Sequence, residues 1–309
     1  MVTEEASSTL GKHGVESILY DPPEFMKRKD HVTKFNIDPI DNQLKGGLKR
    51  GDYVIIQGFL GGGKSWCVNH LAKMAVLFGY TPLLIPTEMS NYLARIRLKQ
   101  SLNSWTEEQV FADPGGAREG MRSIMNRGAE PLILSEEEKS SPVDSLPSII
   151  EEKEIQSGRK IDLILIDSAD ELLPPRGTRY NSSIEANTAI HTFLKNYAKD
   201  QDICVVSTSQ AKRGGENVEW MGPSSIADNI VKNRKATVGI SINAFEDEKA
   251  RWYYRLWLYK NTTGREGARV FVKRDFTRGR FVVSWGRWQK ESYAEWIENE
   301  PILEADYDN

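Results

Sequence analysis

The octapeptide Gly58-Phe59-Leu60-Gly61-Gly62-Gly63-Lys64-Ser65 constrains this chain more than any other feature. It follows the β-branched run Tyr53-Val54-Ile55-Ile56 and opens a segment of helical character, 64–78, that Gly79 closes. A G-x-x-x-x-G-K-[ST] loop between a strand and a helix has a specific physical use. Gly58, Gly61, Gly62 and Gly63 permit a turn tight enough for successive backbone N–H groups to face one anion, and the helix N-terminus adds positive potential. Lys64 is placed to reach β- and γ-phosphates and the Ser65 hydroxyl to ligate Mg²⁺. Trp66, next in the helix, is grouped with the loop as a nucleotide contact. The pattern predicts a nucleoside-triphosphate site, with ATP and Mg²⁺ as its ligands.

Around the loop, strand-like and helix-like segments alternate. Strands are expected over 81–87, 131–134, 161–167 and 203–209, and helices over 91–102, 143–156 and 184–198. Strands over 237–242, 252–259, 270–273 and 281–285 then follow at hairpin-like spacing. The alternation predicts an α/β fold with a mostly parallel central sheet and an antiparallel C-terminal extension. Residues 1–31 are polar and aperiodic, broken by Asp21-Pro22-Pro23, and read as an N-terminal arm. Residues 32–289 read as the folded domain and 290–309 as an acidic tail.

Three further residues have the chemistry such a site needs. Asp167 ends the apolar run Leu163-Ile164-Leu165-Ile166, and the carboxyl ends of strands line the ligand crevice of an α/β sheet, so it can hold the metal shell. Asp170 and Glu171 lie just beyond; Asp162, at the strand's other end, reads as a surface residue. Glu88 ends the second strand, where a carboxylate is placed to act as a base near the γ-phosphate or to offset a helix dipole. Gln210 closes the strand over 203–209, where an amide can orient a phosphate or a water.

Composition excludes other classes. At 39% apolar and 28% charged residues the chain is ordinary for a globular protein, and its apolar runs are far shorter than the ~20 residues of a membrane span. The first residues carry acids where a secretory leader is basic. Two cysteines, Cys67 and Cys204, support neither a disulfide framework nor a zinc module. The expected compartment is the cytoplasm. Charge is uneven: 249–290 holds twelve Lys or Arg against two acids, and 291–309 seven acids and no base. A basic block suggests a polyanionic partner.

Taken in order, Gly46-Gly47-Leu48, the phosphate loop, Thr87-Glu88-Met89-Ser90, the strand ending at Asp167 and Ser209-Gln210 resemble the RecA-like ATPases. The Glu-Met-Ser element and the helix with Leu93 and Arg97 are most similar to the DnaB-type replicative helicases of superfamily 4. Ala227-Asp228 and Asp275-Phe276-Thr277-Arg278-Gly279-Arg280-Phe281 resemble virus-encoded members. The resemblance spans roughly 34–285. It implies Glu88 as catalytic carboxylate, Gln210 coupling γ-phosphate to a DNA loop, and a homo-oligomer, a ring hexamer, in which a neighbour supplies cations to the triphosphate. That family's Lys-x-Arg-x-Gly element here reads Lys260-Asn261-Thr262-Thr263-Gly264-Arg265. Lys260 matches, Thr262 replaces the arginine finger, and Arg265 is the candidate substitute. The N-terminal arm is too short for the family's collar domain.

Nucleic acid is expected at two loops that combine cations with glycine: Arg176 and Arg179 in the segment 174–180, and Lys212 and Arg213 before Gly214-Gly215. Tyr180 or Trp220 can stack on a base; Trp252, Trp257, Trp285 and Trp288 read as core or interface. Such contacts predict single-stranded DNA held without base specificity, and the acidic tail is a candidate docking peptide for a replisome protein. The leading expectation is an ATP-dependent translocase or helicase. The alternatives are a RecA-type recombinase and a non-motor ATPase that switches a protein–protein interface.

Overall fold

The computed structural model describes residues 31–125, 128–211, 218–222, 230–289 and Tyr293. Its main sheet has nine strands: β3 (Tyr53–Gly58), β4 (Pro82–Ile85), β5 (Leu132–Ile133), β6 (Leu163–Ile166), β7 (Cys204–Gln210), β8 (Val238–Asn243), β9 (Tyr253–Asn261), β10 (Arg269–Asp275) and β11 (Arg280–Arg287). They lie in the order β11-β10-β9-β8-β3-β7-β6-β4-β5. The six strands from β8 to β5 are parallel, and β9, β10 and β11 extend the sheet antiparallel. The architecture is the expected one. A small two-stranded sheet, β1 (His31–Thr33) with β2 (Leu48–Lys49), precedes it.

Period-two alternation sends successive residues of the parallel strands into two cores. Val54 and Ile56 of β3, Leu163 and Leu165 of β6, and Val206 of β7 enter one core, packed against helices α1 (Asp38–Gln43), α2 (Lys64–Leu77) and α3 (Asn91–Asn103). Tyr53, Ile55, Ile164, Ile166 and Val205 enter a second core, beneath α6 (Leu146–Ser157) and α7 (Ser183–Asp200). Both faces are covered, so β6 is apolar at every position, while β3 and β7 become polar toward their carboxyl ends, at Gln57 and from Ser207 onward.

The antiparallel strands put Tyr254, Leu256, Leu258, Val270 and Val272 into the first core. Their other face carries Arg255 and Trp257, met by an aromatic cluster. Trp220 stands edge-on to Trp257 at 6.3 Å and to Trp288 at 5.2 Å, and Arg269 lies over Trp220 at 5.1 Å. Trp257 and Trp288 pack as expected, while Trp220, expected as a base-stacking residue, is engaged by the same cluster.

Among the elements that escape the sequence reading are α4 (Glu107–Ala112) and α5 (Pro114–Met125). Pro114-Gly115-Gly116 resembles a loop, but proline is tolerated in the first helical turn, and the Asp113 carboxylate accepts from the Gly116 amide at 2.8 Å. Gly120 has a packing reason, since a Cβ there would come 2.0 Å from Asn103 Oδ1 on α3. Asp162 corrects the expectation of a surface residue. It is 9% exposed, paired with Arg50, and accepts from the Thr81 amide at 2.9 Å. The backbone at the start of β4 needs an acceptor, and Asp162 supplies it.

Candidate active site

At the carboxyl end of β3 the chain turns through Gly61 (φ +71°) and Gly63 (φ +92°) into α2. Gly63 is the residue before the helix, and its left-handed backbone is what glycine permits without strain. The turn leaves the first amides of α2 open to the cavity in front of them. The cavity, about 320 Å³, is lined by Gly61, Gly62, Gly63, Lys64, Ser65 and Trp66 on one side. Glu88, Arg97 and Phe276 face them across it. Six of the predicted nucleotide contacts and the predicted base are thereby brought to one space.

Lys64 is buried, and its ammonium donates to the carbonyls of Gly58 at 3.1 Å and Phe59 at 3.0 Å. Burial lowers its affinity for a proton, and the charges of Glu88, Asp167 and Asp170 work in the opposite direction. Among the described residues no carboxylate lies within ion-pair distance of it. A buried ammonium held by neutral carbonyls at the mouth of a glycine loop is suited to an incoming polyanion.

Ser65 and Asp167 line a second narrow cleft together with Asn69, Pro86 and Met89. Asp167 is 3% exposed and accepts from the Thr208 hydroxyl at 2.7 Å through one of its two carboxylate oxygens. The hydroxyl and carboxylate expected to hold Mg²⁺ thus share one space, and the pair suits a hard cation that keeps much of its water.

Glu88 sits on the turn between β4 and α3. Its amide donates to the Asp167 carbonyl at 3.1 Å, and the Thr87 hydroxyl donates to the Ser168 carbonyl at 2.8 Å. The ends of β4 and β6 therefore carry Glu88 and Asp167, the expected base and the expected metal carboxylate, on neighbouring backbone. Ser90 caps α3 by accepting from the Leu93 amide at 3.3 Å.

Gln210 is opposite Gly58 in the β3–β7 register, and the next amide, Ala211, donates to the Gly58 carbonyl at 3.1 Å. Behind it lies a charged network. Asp170 accepts from the Ser209 hydroxyl at 3.1 Å, pairs with Lys232 and stands 3.6 Å from His191 Nε2. Burial by itself would raise the Asp170 carboxyl; His191 and Lys232 outweigh it and hold it at about 2.

Other predicted residues lie elsewhere. Lys260 is opposite Gly239, near the start of β8 and so at the end of the sheet away from the phosphate loop, where it donates to the carbonyls of Asn233 and Arg234. Arg265 follows in the turn after β9. Arg176 is exposed and pairs with Asp144 at 3.0 Å, while Arg179 is exposed nearby. Lys212, Arg213 and the tail other than Tyr293 fall outside the described residues.

Phe276 is the site residue the sequence reading did not assign. The tip of the β10–β11 hairpin carries it over the loop, where it stacks on Trp66 at 5.5 Å. Arg274 lies over Phe276 at 4.5 Å and Arg97 over Trp66 at 5.4 Å, completing a cation–ring–ring–cation stack. The signal was present in Asp275-Phe276-Thr277-Arg278-Gly279, where Asp275 caps the short turn and Gly279 (φ +62°) ends it. A Cβ on Gly279 would come 2.4 Å from the Ser101 amide, so the tip is seated on α3.

No family model matches the chain, and no curated protein matches it. Solved structures do. A DnaB-like replicative helicase, determined with its interactions with primase, superposes with a TM-score of 0.68 at 17% identity over 82% of this chain. This chain covers 62% of that helicase's length. A second solved structure, of an ATPase domain, gives the same score and identity, again over 82% of this chain and over 92% of the domain. The described chain has the mixed α/β fold of the DnaB-like helicase ATPase domain.

Proposed function

We propose that this protein is an ATP-dependent DNA translocase of the DnaB-like helicase kind, coupling ATP hydrolysis to movement on single-stranded DNA. The observation that carries the reading is the cavity shared by the glycine loop, Lys64 and Glu88 on this fold. Loop amides and Lys64 bind the triphosphate, and Mg²⁺, when bound, would be held by Ser65 and Asp167 and neutralise charge on the phosphates. Glu88 orients the attacking water and takes its proton, and Gln210, next to Gly58, senses the γ-phosphate. Gly58, Gly61, Gly62, Gly63 and Trp66 complete the nucleotide contacts.

DNA is assigned to Arg176 and Arg179, in the segment that follows β6 and Asp167, and to Lys212 and Arg213, which follow Gln210 in sequence and fall outside the described residues. Lys260 and Arg265, distant from their own phosphate loop, would serve the site of an adjacent subunit in a ring hexamer. No helix among the described residues is long and apolar enough to cross a membrane; the proposed place of action, in replication, is the cytoplasm.

Steady-state ATP hydrolysis with and without long single-stranded DNA, at low and moderate salt, tests the reading. A translocase is stimulated, and the stimulation weakens as salt rises because phosphate contacts release counterions. A second reading is a nucleotide switch, favoured by Thr262 in place of the expected arginine. It predicts bound ATP, slow turnover and no response to DNA.

A further inference from the structure

Lys139 belongs to none of the motifs above, yet it is tied to the catalytic turn. It lies in the short helical turn Glu138–Ser140 that follows β5, and its side chain is 8% exposed. Its ammonium donates to the Pro86 carbonyl at 2.9 Å and to the Met89 carbonyl at 3.1 Å. Those two carbonyls bracket Thr87 and Glu88. The third partner is Glu136, at 2.7 Å. The other oxygen of Glu136 accepts from the Asn91 amide at 2.6 Å, and the Asn91 side chain donates to the Leu134 carbonyl at 2.7 Å.

The turn over 86–91 is thus gripped from two sides. On the β6 side it is fixed through the Asp167 and Ser168 carbonyls. On the opposite side Lys139 and Glu136 fix it from the segment after β5. Glu88 itself is exposed, so packing does not aim it; its direction depends on the backbone that carries it. A buried ammonium with three acceptors is costly to leave unpaired, which makes this grip rigid.

We propose that Lys139 is a positioning residue for ATP hydrolysis, tying together the carbonyls that flank Glu88 and so fixing the direction of that carboxylate toward the phosphate loop. The inference rests on the reading of Glu88 as the catalytic carboxylate. Misplacement of a reacting group by about 1 Å costs roughly 100-fold in rate, so loss of the grip acts on kcat and leaves ATP binding in place.

The experiment compares wild type, Lys139→Met, Glu88→Gln and the double variant in the full chain. Turnover is measured at saturating ATP, and binding of a fluorescent ATP analogue is measured separately. Lys139→Met is expected to lower kcat roughly 10- to 100-fold while analogue affinity and the thermal midpoint of the nucleotide-bound protein change little. Lys139→Arg, which restores a cation with several donors, is expected to recover part of kcat. In the Glu88→Gln background Lys139→Met is expected to add nothing, because the group it positions is already gone.

Unchanged kcat in Lys139→Met overturns the inference. So does an equal further loss in the Glu88→Gln background, which would mean that Lys139 acts apart from Glu88. Should Lys139→Met not fold, Lys139→Leu, which likewise has no donor, is measured in its place, and unchanged kcat there overturns the inference equally. Normal turnover by Glu88→Gln removes the reading of Glu88 and this inference with it. An inactive Glu88→Gln beside a fully active Lys139→Met removes the inference alone.

Discussion

The ring of Phe276 lies directly over Gly63: a Cβ built on Gly63 would stand 2.5 Å from the ring's Cζ. The β10–β11 hairpin therefore closes on a backbone position of the glycine loop where a side chain would meet its ring. Loop, helix α2 and hairpin tip form one packed unit, with Trp66 beneath the ring. The shape of the cavity in front of the glycine loop thus depends on residues more than 200 positions apart.

Gly63→Ala is expected to fail for two separable reasons. An L residue at φ +92° is strained by about 1–3 kcal/mol, and the new methyl meets the ring. The thermal midpoint should fall and binding of a fluorescent ATP analogue should be lost. Adding Phe276→Ala should recover only the part due to the ring. Complete recovery in the double variant would show that the backbone angle imposes no constraint.

Lys64→Ala and Glu88→Gln should separate binding from chemistry. Removing the buried ammonium takes away the cation nearest the glycine loop, so hydrolysis should be abolished. Glu88→Gln keeps shape and size but cannot take a proton, so ATP should still bind while turnover falls roughly 10²- to 10⁴-fold. An unaffected rate in Lys64→Ala would sink the assignment of the loop, and normal turnover in Glu88→Gln would move the base elsewhere.

The phosphate loop, the strand ending at Asp167 and the position of Glu88 were all legible because each is a local signal: a glycine spacing, an apolar run, a carboxylate at a strand end. The sheet was legible for the same reason, since burial on both faces makes a parallel strand such as Leu163–Ile166 continuously apolar. Phe276 and Lys139 were not, because what gives each its role is a contact across the fold. A lysine in Glu136-Glu137-Glu138-Lys139 reads as part of a solvated charge run until the Pro86 and Met89 carbonyls are found beside it. Helix α5 was missed where a tertiary contact, Gly120 against Asn103, gives a local breaker a packing purpose.

Acid should weaken the fold in two separate pH windows. His70 is buried, donates from Nε2 to the Phe35 carbonyl at 2.8 Å, and is pushed by its burial down to about 4. Above its unfolded value of about 6.5 both states are neutral and nothing is lost. As pH falls from there toward 4 the unfolded chain takes up a proton that the folded one refuses, and stability drops by up to about 3 kcal/mol. Asp170, held at about 2, acts in the next window: its contribution is intact above the ordinary aspartate range of about 4 and is lost as pH falls toward 2. Urea unfolding from pH 8 to 4 should show the first slope, and His70→Gln should flatten it. A slope of the same size in that variant would assign it to other groups.

The Glu248–Arg255 pair should prove costly to break and cheap to replace. Arg255 is 1% exposed and Glu248 1% exposed. Arg255 Nε stands 2.8 Å from one carboxylate oxygen, and another guanidinium nitrogen donates to the second at 3.0 Å. The guanidinium also lies over Phe245 at 4.4 Å and over Trp220 at 5.3 Å, so it joins the antiparallel extension to the aromatic cluster. Glu248→Gln leaves a buried cation without its counter-charge, and such losses cost about 3–5 kcal/mol. Replacing both residues, as Glu248→Leu with Arg255→Met, removes the charges together and should recover most of that loss, because two ions no longer need to be stripped of water. Equilibrium unfolding of the two variants decides the matter. If the double variant is as unstable as Glu248→Gln, the guanidinium's stacking on Trp220 and Phe245 is what holds this face of the sheet, and the ion pair is secondary to it.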